Sequence, residues 1–252
     1  MQTLFIGKNT IFLPQTESTN SYAIDMLKNV NLVEGTVVHT ANQTRGKGQR
    51  GSVWSADAAS NLTASIILKP DFLSLKNQFF LYQVLALACY DTMAELLNNS
   101  QIDIKIKWPN DILINKRKIA GILIENNVMN NRFNWSVAGV GINVNQIIFD
   151  GEFRATSLKL ESGQNFLIDE VLEKMCIHLE KYYLMLKNNK YDQIKQSYFE
   201  KIFGVNTWMD FESHGELISR FVKGINDSGL LVLRDKNGLL MEVDVKEVKW
   251  IY

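Results

Sequence analysis

Two segments of this chain gather residue types able to handle an anion. Between Thr44 and Gly51, three glycines (Gly46, Gly48, Gly51) are interleaved with Arg45, Lys47 and Arg50, and Trp54 follows. Backbone N–H groups and cations in such a loop can jointly surround a phosphate or carboxylate. A flexible, solvated loop has the same composition, and glycine spacing alone does not separate the two. In the second segment Lys107, Asn110 and Asp111 stand around Pro109, with Lys118 across a polar turn at Asn115 to Arg117. Polar groups converge there, although a solvated hairpin with surface lysines is the plainer alternative. The three histidines, His39, His178 and His214, are dispersed and lack ligand spacing.

The elements that must position these residues follow from periodicity. Ser18-Thr19-Asn20 opens a helix whose apolar face carries Ala23, Met26, Leu27 and Val30, so a polar cluster sits at a helix N-terminus. Strands are expected over 36–41 and 62–68, and a long packed helix over 78–98 through Leu81, Val84, Leu85 and Ala88. Ile102, Ile104 and Ile106 alternate with charged residues, and consecutive strands with a hairpin at Asn115 to Arg117 come next. A strand over 134–145 precedes an irregular stretch, a helix carrying Leu172, Met175, Cys176 and Leu179, and a second helix near 191–201. From Val205, short apolar runs separated by turns at Ser213-His214-Gly215, Asn226 to Gly229 and Asp235 to Gly238 predict a small antiparallel barrel. A boundary near Gly204 gives two domains, 1–203 and 204–252.

The 252 residues, 46% hydrophobic, suffice for one medium domain with a small appendage. Lys+Arg and Asp+Glu both number 27, which argues against a generic binder of DNA or anionic membranes. Cys89 and Cys176 lie in apolar helical runs and read as core residues of a reducing compartment. No stretch approaches the roughly 20 apolar residues of a membrane span. The first ten residues lack a basic segment followed by an apolar core, so a cytoplasmic protein is expected.

Lys107-Trp108-Pro109-Asn110-Asp111 followed by Arg117-Lys118-Ile119-Ala120-Gly121-Ile122-Leu123-Ile124-Glu125 resembles the signature of biotin protein ligases. Ser18-Thr19-Asn20, the glycine loop ending at Trp54, and Gly139-Val140-Gly141-Ile142-Asn143-Val144 resemble that family in the same order. Ala155 to Leu158 and the terminal strands extend the likeness over nearly the whole chain. The resemblance implies an α+β fold: a mixed β-sheet packed by helices, of the class II synthetase-like biotin ligase type, with a small C-terminal SH3-like β-barrel. It implies a carbon–nitrogen ligase that converts biotin and ATP to biotinyl-adenylate and transfers biotin to a lysine of a biotin carboxyl carrier protein domain.

Carried over by position, the resemblance assigns Ser18, Thr19, Asn20 and Gln43 to biotin, with helix capping as a coexisting role for Ser18 and Thr19. Lys47, Gly48, Gln49 and Arg50 would form a lid over biotin and the adenylate phosphate, and Trp54 its wall or its anchor. The common pattern has an arginine after the second loop glycine; here Gln49 stands there and Arg50 follows. Lys118 would meet the biotin carboxylate and the reacting phosphate. Lys107 and Asp111 would complete the catalytic set, Asp111 positioning Mg2+ or the acceptor amine. Asn110 and Asn143 would approach the nucleotide, Asn143 alternatively bonding a strand-end turn. Lipoate protein ligases are the enzymatic rival, and a biotin-sensing regulator is the rival of another class. With the Ser18 motif so near the start, no N-terminal helix-turn-helix and no operator binding are expected; a homodimer is compatible with the sequence.

Overall fold

The computed structural model describes residues 2–149 and 154–252. Its centre is a seven-stranded sheet in the spatial order β1 (Thr10–Thr16), β2 (Val37–Gln43), β3 (Asn61–Leu68), β7 (Arg132–Asn143), β6 (Arg117–Met129), β5 (Asp111–Ile114) and β4 (Ile104–Lys107). β1 and β2 run parallel, and the other neighbouring pairs are antiparallel, so the sheet is mixed as expected. β1 escaped the periodicity reading because it is an edge strand with polar residues on both faces and Pro14 in its middle, a residue that sheets accept at their edges.

Side-chain alternation splits the sheet into a core face and a site face. Leu62, Ala64 and Ile66 of β3, Ala120, Ile122 and Ile124 of β6, and Ala138, Val140 and Ile142 of β7 join the main hydrophobic cluster with the helices α2 (Phe79–Leu97) and α4 (Ile168–Lys187). The other face carries a small cluster, Val38, Ile67 and Val137, against Ala23 of the helix α1 (Thr19–Asn29). Val30 does not share that face: it lies one residue past α1 and is exposed, so the apolar stripe is shorter than the sequence suggested.

The segment Leu75–Leu97 has the length and hydropathy of a membrane span, contrary to the sequence expectation, but it is largely buried between the sheet and α4. A helix hydrophobic all round is explained by neighbours on several sides. It ends at Asn98 in a left-handed conformation (φ 40°), a common helix stop. Cys89 and Cys176 are free and buried in the same core, and burial pushes both thiols up to about 12.

After the short helix α3 (Leu158–Ser162), α4 and the helix α5 (Tyr191–Phe199), the chain enters a second, five-stranded antiparallel sheet. Its order is β11 (Leu240–Val243), β10 (Leu231–Arg234), β9 (Glu216–Ile225), β8 (Trp208–Ser213) and β12 (Lys249–Ile251), which fits a small SH3-like module. His214 and Gly215, Gly229 and Gly238 take positive φ at the three anticipated turns. The two sheets are stitched together beside the Lys107 segment. Ile106 N donates to Lys201 O and Phe203 N to Ile106 O, both at 2.8 Å, which covers the β4 edge. The buried Trp108 Nε1 donates to Gly229 O at 2.8 Å.

Candidate active site

The site face is floored by glycines. Gly121 on β6 pairs with Gly141 on β7, and Gly139 stands two residues away on the same face. A Cβ at Gly139 would lie 2.4 Å from Asn20 Oδ1, and one at Gly141 2.3 Å from Trp54 Cε2. The missing side chains thus admit an amide and an indole against the backbone, where any other residue would push them out.

Over Gly139 sits a polar cluster built from α1. Ser18 caps the helix, its hydroxyl accepting from Ser21 N. Gln43 Oε1 accepts from Thr19 N at 2.9 Å. Gln43 therefore has a capping role in addition to any ligand role, which its position on a strand did not advertise. Ser65 Oγ lies 2.7 Å from Thr19 Oγ1 and 2.6 Å from Asn20 Oδ1, and Asn20 Nδ2 donates to Glu125 Oε2 at 2.8 Å. Ser18, Thr19, Asn20 and Ser65 are all buried. A polar cluster at that depth persists only when its groups are bonded to one another or to a ligand. Ser65 and Glu125 were missed as site residues. The available signal was a serine in the otherwise apolar Ala64 to Leu68 run, on the same face as Thr63.

Beside it, over Gly121 and Gly141, lies a charged cluster. Lys118 Nζ approaches Asp111 Oδ1 to 2.7 Å; no donor is aligned on that oxygen, so the contact is coulombic more than directional. Lys107 Nζ lies 3.9 Å from Asp111 Oδ2 and 5.2 Å from the centre of the Tyr252 ring. Burial holds the Lys107 ammonium below the ordinary lysine range; Asp111 pulls it back up and Lys118 pushes it further down. The backbone of Lys118 is pinned on both sides, donating to Arg154 O at 2.8 Å and accepting from Thr156 N at 2.9 Å. Its ammonium stands 5.5 Å from the Trp54 ring centre. Trp54 thus bridges loop, glycine floor and lysine, and its buried Nε1 has no hydrogen-bond partner among the described residues. Tyr252, brought in by the second sheet, was not anticipated.

The glycine loop folds back on itself, with Gly48 N donating to Ser52 O at 2.7 Å and Trp54 N to Gly46 O at 3.0 Å. Lys47 Nζ donates to Ser21 Oγ at 2.8 Å, which lays the loop across the start of α1. Gln49 begins a single 3-10 turn, Gln49–Gly51; the Arg50 side chain lies outside the described residues. Asn110 and Asn143 turn their Nδ2 donors to backbone, Asn110 to Ile122 O and Asn143 to Thr156 O, each at 2.9 Å. That is the strand-end role weighed for Asn143. Among the described residues no three His, Cys, Asp or Glu side chains converge on a metal position.

This arrangement sets a buried polar cluster, which includes the Glu125 carboxylate, next to a cluster of two lysines and Asp111, beside a cationic loop. Its residues come from segments that match known proteins. The family model for the biotin/lipoate A/B protein ligase family matches residues 12–143. The bifunctional ligase/repressor BirA of Bacillus spizizenii is 31% identical over 95% of this chain and 73% of its own length. The biotin-(acetyl-CoA-carboxylase) ligase of Paracoccus denitrificans is 27% identical over 90% of this chain and 94% of its own. Among solved structures, a biotin protein ligase from Aquifex aeolicus in complex with biotin and ATP superposes with a TM-score of 0.79 at 25% identity, covering 97% of this chain and 99% of that one. A match of this extent, running through the α1 cluster, the loop and the Lys118 strand in one register, has one consequence: the chain belongs to the biotin/lipoate A/B protein ligase family.

Proposed function

We propose that this protein is a biotin protein ligase, which uses ATP to make biotinyl-adenylate and transfers biotin to a lysine of a carboxylase carrier protein. The observation that carries the reading is the end-to-end likeness to a ligase that holds biotin and ATP, with relatives named as biotin ligases. The lipoate alternative is not favoured by those relatives.

In this reading Ser18, Thr19, Asn20 and Gln43 hold the ureido ring of biotin, because the α1 cluster supplies both donors and acceptors in a confined space. Lys118 meets the biotin carboxylate and the α-phosphate, and Lys107 the phosphates. Fixed cations at that point stabilise the charge that grows as the carboxylate attacks phosphorus and pyrophosphate leaves. Lys47, Gly48, Gln49 and Arg50 close over the mixed anhydride and exclude water, with Trp54 tying the loop to the floor. Asn110 and Asn143 act at the nucleotide by shaping its backbone surroundings.

Asp111 fits a metal only in part. It is a lone carboxylate already flanked by two lysines, so Mg2+ would arrive with ATP and take most of its ligands from phosphate and water. When bound, the ion would neutralise the departing pyrophosphate. Asp111 also orients the acceptor amine in this reading. A cytoplasmic location and a module boundary near Gly204 belong to the same reading, which is compatible with a homodimer.

The test is incorporation of labelled biotin into an apo carrier protein with ATP and Mg2+, with lipoate and no-ATP controls. ATP-dependent biotin labelling is expected, and labelling with lipoate alone would move the protein to the other branch of the family. Comparing Gln49→Ala with Arg50→Ala in the same assay identifies the loop side chain that meets the phosphate.

A further inference from the structure

Lys118 sits where the central sheet gives it little support. The pairing of β6 with β7 starts at Ala120 and Ile142, so Lys118 lies beyond the last rung on that side. On the β5 side Leu113 pairs with Lys118 and Ile112 with Ala120, which leaves Ile119 as an extra residue. A bulge of this kind re-aims the side chains next to it. The amide and carbonyl of Lys118 are fixed by Arg154 and Thr156, a segment that belongs to no strand of the sheet. Asn143 holds that segment from β7, its Nδ2 donating to Thr156 O. From the other side it is held by Glu161 of α3, whose side chain is 5% exposed. Thr156 Oγ1 donates to Glu161 Oε1, and Arg117 Nη2 donates to the same oxygen at 2.7 Å. Asn115 Nδ2 donates to Glu161 Oε2 at 3.1 Å.

We propose that Glu161 is a positioning residue for adenylate formation, acting through Lys118; the inference rests on the role of Lys118 proposed above. One carboxylate gathers donors from both segments that flank the lysine. Asn115 belongs to the two-residue β5–β6 turn, in which Asn115 and Lys116 both take positive φ, 49° and 61°. Hairpin turns favour that conformation, but a lysine adopts it at a cost, so the turn needs an outside hold. Arg117 adjoins Lys118 in the chain, and Thr156 is the residue whose N–H meets the Lys118 carbonyl. Bonds from charged donors and to a buried carboxylate are the strong ones, and withdrawing the acceptor leaves several donors unmet at once. Asp111 cannot replace this hold, because it stands on β5 of the same hairpin and shifts with it. Glu161 therefore locks the turn and the 154–156 segment to α3 as one unit, which sets where the Lys118 ammonium stands.

The test compares Glu161→Ala and Glu161→Gln with wild type in the full-length protein, by biotin-dependent pyrophosphate release and by amide hydrogen exchange. Glu161→Ala should lower kcat about 10- to 100-fold, the cost of a misplaced reacting group. The KM values for biotin and ATP should change less than about threefold, since the lost interaction matters in the transition state. Exchange at the Lys118 and Thr156 amides should quicken. Glu161→Gln keeps an acceptor for Arg117 and Thr156 and should recover part of kcat. Glu180→Gln is the control. That carboxylate is also buried and accepts from Leu4, Phe5 and Ile6 N–H, so its loss should lower the denaturant midpoint while kcat and the two amides stay unchanged. Should Glu161→Ala fail to fold, Thr156→Val, which deletes the hydroxyl bonded to Glu161, carries the same two readouts. An unchanged kcat, a fall in kcat without faster exchange at Lys118 and Thr156, or an equal fall in Glu180→Gln would each overturn the proposal. Full adenylate yield from Lys118→Ala would instead defeat the reading of Lys118 and leave the exchange result standing.

Discussion

Asp111→Asn removes the single anion between two lysines, and its effect can be worked from distances. Asp111 Oδ2 lies 3.9 Å from Lys107 Nζ. At an effective dielectric of about 20 a unit charge at such a distance is worth ~4 kcal/mol. Lys107 and Asp111 retain 22% and 17% side-chain exposure, so solvent screens part of this and ~1.5–2 kcal/mol is a fair expectation, a loss of roughly 10- to 30-fold in proton affinity at Lys107. The direction is fixed by the surroundings: burial already lowers the Lys107 ammonium, Asp111 opposes that, and Lys118 adds to it. With Asn at 111, both remaining influences point down. A lysine whose folded pKa lies below its unfolded one binds fewer protons when folded, so stability rises as pH climbs from the folded value to the unfolded one. In Asp111→Asn that rise begins at a lower pH than in the wild type. Side-chain nitrogen NMR of Lys107 across pH 7 to 11 measures the titration directly, and denaturation at both ends of that range measures the linkage. A Lys107 that titrates at the same pH in both proteins would refute the account of Asp111 as the group that keeps it charged. The alkaline limb of biotin-dependent pyrophosphate release should move to lower pH in the variant as well.

Lys118→Ala should abolish adenylate formation while leaving biotin binding measurable, and unchanged adenylate yield defeats the assigned role. Gly141→Ala drives a methyl into the Trp54 indole, 2.3 Å from Cε2. It should cost about 1–3 kcal/mol of stability and move the Trp54 indole resonance, readable by NMR alongside a denaturant midpoint. Gln43→Met keeps the length of the side chain but removes the acceptor for Thr19 N. It should destabilise α1 by about 1 kcal/mol, detected as faster amide exchange at 19–22, besides weakening biotin binding.

The legible parts of this protein are those where one residue type has one physical use. Gly215, Gly229 and Gly238 could be read as turns because positive φ is what glycine supplies at no cost. The α2 span was visible from its apolar repeat, and Asn98 does end it in the left-handed region. β1 was illegible because an edge strand need not alternate, and Val30 misled because an apolar residue past a helix end still fits the repeat. Site residues divided along a different line. Asp111, Lys107 and Lys118 were found through a contiguous motif, and the sheet does bring them together. Ser65 and Tyr252 were not, since each joins the site from an element remote in sequence, through contacts that only the folded sheet creates. A contiguous motif does not fix the role of each residue in it. Asn110 and Asn143 lie in the right strings, yet both commit a donor to backbone carbonyls, so in the proposed reading they would act by shaping the site. Gln43 is the converse case: a residue singled out for a ligand turns out also to hold the helix that carries the other ligand groups. A site whose binding groups also cap its own scaffold has a testable property. In the proposed reading, ligand binding and α1 stability are lost together when Gln43 is replaced, because one side chain serves both.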